Sequence, residues 1–339
     1  MKKTMTRRNA MRLPLAAGLA GGLATGLATP ALAARARTLR LGSPQPTDSN
    51  YQHAAVMFAE EVGKLSGGRL KVEVFPNSQL GSIKEMLTSV QLGSLSMTLA
   101  VPAWYSGFVK AMDVFTLPFL VGSPENLRSA LNGKLGEAVS AKAAPAGFHL
   151  LGWWLMGPRN MVNNVHPINV PADVAGLKMR VIASPVYIEM FRLLGADPVV
   201  IDSAEIYLAM QQKVVNGLEY PIPDMIDAKL YEVSKYMSLT EHVTDFFVVS
   251  VNRTLWDGFS AEEKGILSQA MKTASDWEWQ AQPATTAAAL KKLEGLMKVN
   301  PVSPADRALF AAKTKPIYQQ YAKSIGPDLL DLATRELAA

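Results

Sequence analysis

The chain of 339 residues contains no cysteine. That removes disulfides, thiol nucleophiles, CxxC redox chemistry, thiolate zinc sites and attachment of a lipid through a cysteine. In an oxidising compartment, stability then has to come from packed cores alone. Histidine is nearly as scarce: His53, His149, His166 and His242 are scattered and show neither HExxH nor H-x-H spacing. No G-x-S-x-G elbow, Walker loop or dinucleotide fingerprint is present. Acids are plentiful, but sequence alone joins no two of them into a catalytic pair. Beyond the N-terminal segment no uninterrupted apolar stretch is long enough to span a bilayer.

Surplus charge is also missing from most of the chain. Lys and Arg number 34 against 29 Asp and Glu, but Lys2, Lys3, Arg7, Arg8 and Arg12 lie within residues 1–33, where there is no acid. The remainder carries 29 groups of each sign, so the basic balance belongs to the leader. No Lys/Arg run with interleaved aromatics follows, and no nucleic-acid partner is implied. The leader has the order of a secretory signal: a basic start, a mildly apolar Gly/Ala/Leu run, then Pro30-Ala31-Leu32-Ala33. Thr6–Arg12 is twin-arginine-like, although Ala10 stands where a bulky apolar residue is usual. A membrane anchor fits less well, because the run is short, rich in glycine and interrupted by Pro30. The expectation is export to the periplasm as a soluble protein, with cleavage near residue 33.

The roughly 306 residues that remain suffice for two ordinary α/β domains. Thr38–Gly42, Leu70–Val74 and Met97–Val101 read as strands. Asn50–Leu65 and Ser82–Gly93 read as amphipathic helices between them. This spacing predicts a parallel sheet with right-handed crossovers. The pattern restarts after a Gly147–Leu155 strand, with strands at Arg159–Asn163, Leu177–Val181, Pro198–Ile201 and Leu218–Tyr220. Helices are expected at Ser184–Leu194 and Ser203–Gln212. Ser184 and Pro185 suit a helix start, Asp202–Glu205 resembles a capping box, and Gly195 and Gly217 stand where helices should end. Met237–Asn252 reads as a strand crossing back to the first lobe, and the chain from Ser260 onward as mostly helical. No Gly/Ser linker separates the lobes, which suits a hinge. The predicted fold class is α/β, a two-lobed binding-protein fold with a central ligand cleft facing the carboxyl ends of the parallel strands.

The segment from Gly176 to Pro221 is the most telling. It places Arg180 in the alternating run GLKMR, followed by GAxP, EIYLAMQ and NGLE. In that order and spacing these motifs resemble the solute-binding proteins of TRAP transporters, the DctP family. The SGGRLKVEVFPNSQLG run of the first lobe resembles it too, so the resemblance extends over nearly all of the chain after the leader. It implies the two-lobed fold and no enzymatic activity; no cofactor is expected and no residue is assigned as a metal ligand. It implies an organic-acid ligand and, as partners, the small and large TRAP membrane subunits. Arg180 would hold the substrate carboxylate, since a guanidinium offers a planar donor fork that stays charged.

A second arginine, Arg159 in GPRNMVNN, corresponds to one that often helps in the family. Tyr220 stands after NGLE, where many members carry Asn and the keto-acid type Trp, and offers a ring face and a hydroxyl. Glu219 would orient an arginine or, as in some keto-acid binders, contribute to a metal site. From the first lobe, Asn50, Trp104 and Tyr105 would reach the cleft. Val101, Pro102 and Trp104 replace charged residues of the sialic-acid members, which argues for a smaller or flatter acid. Asn77 and Gln79 read as turn-formers. The expected organisation is a signal peptide over 1–33, lobe I over 34–157 and about 246–284, lobe II over 158–245 and about 285–325, and a helical tail over 326–339. Two alternatives stand beside this reading: a periplasmic enzyme exported by the twin-arginine route, and a binding protein of an ABC importer.

Overall fold

The computed structural model describes residues 36–338. The signal peptide expected over residues 1–33 lies outside them. Nine strands form one sheet: β1 (Arg37–Gly42), β2 (Leu70–Phe75), β3 (Met97–Ala100), β4 (Phe148–Asn163), β5 (Lys178–Val181), β6 (Asp197–Val200), β7 (Gly217–Pro221), β8 (Tyr236–Asn252) and β9 (Lys298–Pro301). Their order is β2-β1-β3-β8-β4-β7-β5-β6, with β9 beside β8. The two expected parallel groups are present: β2-β1-β3 at one end and β7-β5-β6 at the other. Between them run β4 and β8, which pair antiparallel with each other, β8 also with β3 and β4 with β7. The result is a two-lobed α/β fold in which the lobes share two long strands.

Three expectations need correction. The strands expected at Gly147–Leu155 and Arg159–Asn163 are one strand, β4. Gly157 takes a left-handed backbone (φ +98°) and Pro158 has no N–H, and both read as a break. The ladder absorbs them as a register shift between Leu155 and Gly157 and goes on, pairing Gly157 with Asp245 and Pro158 with Thr244. Gly217 does not end a helix. Lys213 makes the left-handed exit from the Ile206–Gln211 helix, and Gly217 opens β7, where a Cβ would collide with the Met179 sulfur. Asp202 caps Ala204 N–H as expected, but no Glu205 side chain closes a box, and Ser184 stands before the Pro185–Leu193 helix without a side-chain bond to it. β9 escaped prediction because four residues ending in proline, between helices, carry no period.

Local chemistry accounts for the well-predicted elements. Ser49 caps the Asn50–Leu65 helix, which buries Ala55, Phe58 and Val62. Ser82 and Glu85 form a reciprocal capping box at the Ile83–Leu92 helix, and Gly93 ends it with φ +83°. Each fully buried Phe, Val or Met contributes roughly 1.5–3 kcal/mol of apolar transfer energy. The largest single element is the Ala261–Glu294 helix, started by a Ser260–Glu263 box and carrying Pro283 inside it. No helix among the described residues is long and apolar enough to cross a membrane.

Candidate ligand-binding cleft

A cavity of about 320 Å³ lies at the carboxyl ends of the parallel strands. Its wall is assembled from the segments that leave them: Gln45 after β1, Asn77 after β2, Trp104 after β3, Ser203 after β6 and Asp224 after β7, with Arg180 on β5. Open α/β sheets place ligand sites there because backbone ends and loops, freed from the ladder, converge. The volume is in the range of small-molecule sites.

Arg180 is fully buried. Its neighbours in register on β6 and β7 are Val199 and Leu218, so no acid stands directly opposite it on either strand. Nε donates to the Ile201 carbonyl at 2.9 Å and Nη2 to Ser203 Oγ at 3.4 Å, while Nη1 has no partner among the described residues. Burial pulls its pKa below the ordinary guanidinium value, with Tyr220, Glu219 and Asp202 compensating only from a distance.

Arg159 also lines the cavity and is equally buried, but it is already engaged. It stands diagonally across from Glu219 on β7 and Asp245 on β8, where side chains of one sheet face meet. Nε and Nη2 grip the Glu219 carboxylate as a fork, Nη2 at 2.8 Å, and Nη1 donates to Asp245 at 2.8 Å. Burial works against the Glu219 carboxylate, but Arg159 and His242 outweigh it and hold its pKa below the usual range. For Asp245 burial wins over Arg159 and lifts the pKa to about 6. The Arg159 guanidinium carbon lies 5.6 Å from the Tyr187 ring centroid and 5.8 Å from that of Tyr220.

Of the other sequence-derived candidates, Tyr220 and Trp104 line the cavity, and Asn50, Tyr105 and Glu219 do not. Asn50 Nδ2 donates to Gln282 Oε1 at 3.1 Å and Thr285 Oγ1 at 2.7 Å, because its place at the start of a helix turns it toward the Ala261–Glu294 helix. Tyr105 is the residue after Trp104 in a four-residue helix and points the other way, its hydroxyl donating to Ser250 Oγ at 2.8 Å. Glu219 is bound to Arg159 behind the wall. No group of three or more His, Cys, Asp or Glu suited to a metal occurs among the described residues.

Sequence reasoning missed the acidic part of the wall. Asp224 and Asp227 come from the Ile222–Asp227 helix and line the cavity with Gln45. Asp224 is buried and accepts from Gln45 Nε2 at 3.4 Å and from the Tyr51 hydroxyl at 3.3 Å. Tyr51 in turn accepts from Gln282 Nε2 at 2.8 Å, so Asn50, Gln282 and Tyr51 form a polar chain leading to Asp224. Burial and the nearby Asp227 push Asp224 up to about 8, and burial and Asp48 push Asp227 up to about 6. An acid in the first turn of a helix is usual on dipole grounds, which hid this one. Its position just past the end of β7 was the usable signal.

Comparison with known proteins agrees with this architecture. Residues 41–324 match the family model described as bacterial extracellular solute-binding protein, family 7, or DctP. The 2,3-diketo-L-gulonate-binding periplasmic protein of Escherichia coli K12 is 30% identical over 250 residues, 74% of this chain and 76% of that protein. Among solved structures, a TRAP periplasmic solute-binding protein from Sulfurospirillum deleyianum with bound succinate superposes with a TM-score of 0.82 at 30% identity, covering 88% of this chain and 98% of that one. The sugar-acid-binding protein of Advenella mimigardefordensis in complex with galactonate gives 0.84 at 31% identity, covering 89% and 99%. With its two parallel strand groups joined by shared strands and a cleft at their carboxyl ends, the chain belongs to the DctP family of TRAP-transporter periplasmic solute-binding proteins.

Proposed function

We propose that this protein captures an organic acid in the periplasm and delivers it to TRAP membrane subunits for ion-coupled uptake. The observation that carries the reading is Arg180: a buried cation lining a cavity, with no acid in an ion pair with it and one nitrogen without a partner among the described residues. A buried charge is costly unless something compensates it, and a ligand carboxylate in two parallel hydrogen bonds is the fitting complement. Arg159, held by Glu219 and Asp245, completes the positive wall, and Tyr220 and Trp104 supply flat faces for the carbon skeleton. The lobes would meet along the long strands near Gly157 and Asp245, giving lobe I as 34–157 with about 246–284 and lobe II as 158–245 with about 285–325. Closure about that hinge excludes water and strengthens the charge contact, and a membrane partner would read the closed state. The leader would direct export by a twin-arginine-like route. No enzymatic step is part of this reading, and membership of the DctP family supports TRAP subunits over those of an ABC importer as the partners.

Relatives take both a dicarboxylate, succinate, and a sugar acid, galactonate, so the class common to them is the carboxylate. The test is a thermal-shift screen of acids against their primary amides. A ligand present at about a hundred times its dissociation constant adds about 2.7 kcal/mol of stability. Acids should stabilise and amides should not. Equal stabilisation by an acid and its amide would sink the carboxylate clamp.

A further inference from the structure

The charges lining the cavity are unevenly matched. Its cations are Arg159 and Arg180, and Arg159 is already bound to Glu219 and Asp245. Among the described residues that leaves Arg180 as the one cation in the lining without an acid paired to it. Against it stand Asp202, Asp224 and Asp227, none of which forms an ion pair among the described residues. One ligand carboxylate satisfies Arg180. A second would enter a wall that has no further free cation and already holds carboxyl groups, and like charges in a water-poor cavity repel strongly.

The neighbourhood of Asp224 says what does fit. Its two hydrogen bonds, from Gln45 and Tyr51, are long, at 3.4 and 3.3 Å, and leave acceptor capacity on both oxygens. Gln45, Asn77 and Ser78 add neutral donors and acceptors beside it. A hydroxyl gives and accepts one hydrogen bond at once, so it complements a carboxyl whether or not the latter holds a proton. With Asp224 pushed up to about 8 and Asp227 to about 6, the pair retains a proton near neutrality and still carries negative charge. An alcohol meets such a pair without loss, whereas an added carboxylate does not.

We propose that the Asp224–Asp227 side of the cleft makes this a receptor for hydroxy-monoacids, with one carboxylate on Arg180, a hydroxyl-bearing tail against Asp224 and Gln45, and acids carrying a second carboxylate selected against. This rests on the carboxylate reading of Arg180 given above and narrows it.

The experiment uses acids that differ only at the carbon farthest from the first carboxylate. One set is butyrate, 4-hydroxybutyrate and succinate. Another compares hexonates with hexarates of the same configuration. Each is titrated calorimetrically into the wild-type protein and into the Asp224→Asn/Asp227→Asn double variant at neutral pH. The expected result is that hydroxy-monoacids bind at least about tenfold tighter than the matched diacids, and tighter than the acid lacking the hydroxyl. In the double variant the gap should narrow, chiefly because the diacids gain. A diacid that equals or beats its monoacid in the wild type overturns the proposal while leaving the Arg180 clamp intact. So does a gap that survives unchanged in the variant, shown to be folded by circular dichroism. A panel from which no hydroxy-monoacid binds also overturns it. Binding of neutral amides in place of the acids would overturn the clamp itself, and the two failures are read from different members of the same panel.

Discussion

Arg159 and Arg180 stand on β4 and β5, line the same cavity and are equally removed from water, yet their surroundings are opposite. Around Arg159 burial is outweighed by Glu219, Tyr187 and Asp245, and its pKa is raised; around Arg180 burial prevails, and its pKa is lowered. The difference follows from register. Diagonal neighbours of Arg159 on two adjoining strands are Glu219 and Asp245, both paired with it, whereas the diagonal acid on the strand beside Arg180, Asp197, forms no ion pair with it among the described residues. One guanidinium finds its counter-charge inside the chain and becomes part of the frame. The other is left short of one, and a residue left short inside a cavity is what the carboxylate clamp proposed above requires.

The comparison breaks most visibly in stability. Arg159→Met leaves Glu219 and Asp245 buried without a cation and should cost about 3–5 kcal/mol in denaturant unfolding, the range for removing one partner of a buried pair. Arg180→Met, measured without ligand, should be neutral or stabilising, since it removes an uncompensated buried charge. If both variants lose the same stability, the contrast drawn between the two arginines is false.

Affinity sharpens the same contrast. Arg180→Lys keeps the charge but exchanges a planar fork for a point donor, and should lower affinity for the best acid by about 2–5 kcal/mol while the circular dichroism spectrum is preserved. A lysine variant binding within about threefold of wild type by isothermal titration would make Arg180 a strand residue and move the carboxylate elsewhere, with Arg159 next in line.

The acidic side of the cleft adds a pH dependence. Folded, Asp224 keeps its proton up to about 8, whereas the unfolded chain releases it near 3.8. Between those values the folded state binds more protons, so stability falls as pH rises through the window. Asp227 and Asp245 add to that fall only up to about 6. Between pH 6 and 8 Asp224 contributes to the slope together with buried Glu278, whose pKa burial also raises well above the carboxylate range, and Asp224→Asn should flatten it by roughly 1–2 kcal/mol in ligand-free thermal or denaturant melts. An unchanged slope would show that Asp224 is ionised like an exposed carboxylate. The smallest expected effect is that of Asn50→Ala. Losing its bonds to Gln282 and Thr285 should cost about 1 kcal/mol of stability and little affinity. An affinity loss as large as that of Arg180→Lys would put Asn50 in contact with the ligand after all.

Much of the fold is legible in the sequence. The periodic helices, the strand after each of them and the crossing strand at Met237–Asn252 announce themselves through apolar spacing, capping residues and terminal glycines. The resemblance carried in GLKMR and the later motifs picked out Arg180. What stayed hidden depends on neighbours distant in sequence. Nothing local to Pro158 says that the ladder continues through it, because the bonds that carry it come from β8. Asn50 and Tyr105 were drawn toward the cleft by their place after a strand, but which way each turns is decided by Gln282 and Ser250, about 232 and 145 residues away. Asp224 looked like any acid opening a helix. Only the convergence of Gln45, Tyr51 and Asp227 on it makes it part of a wall.

The long strands β4 and β8 also govern how the chain must reach this state. The β2-β1-β3 group is joined through β8 and the β7-β5-β6 group through β4, and β8 takes its place against β4 only after the intervening residues 164–235 have been laid down. Gly157 and Asp245 are paired in that ladder, so a cut at either residue would sever a ladder instead of a linker. The receptor is therefore bound to assemble slowly, through contacts of high sequence separation, and to come apart as one cooperative body.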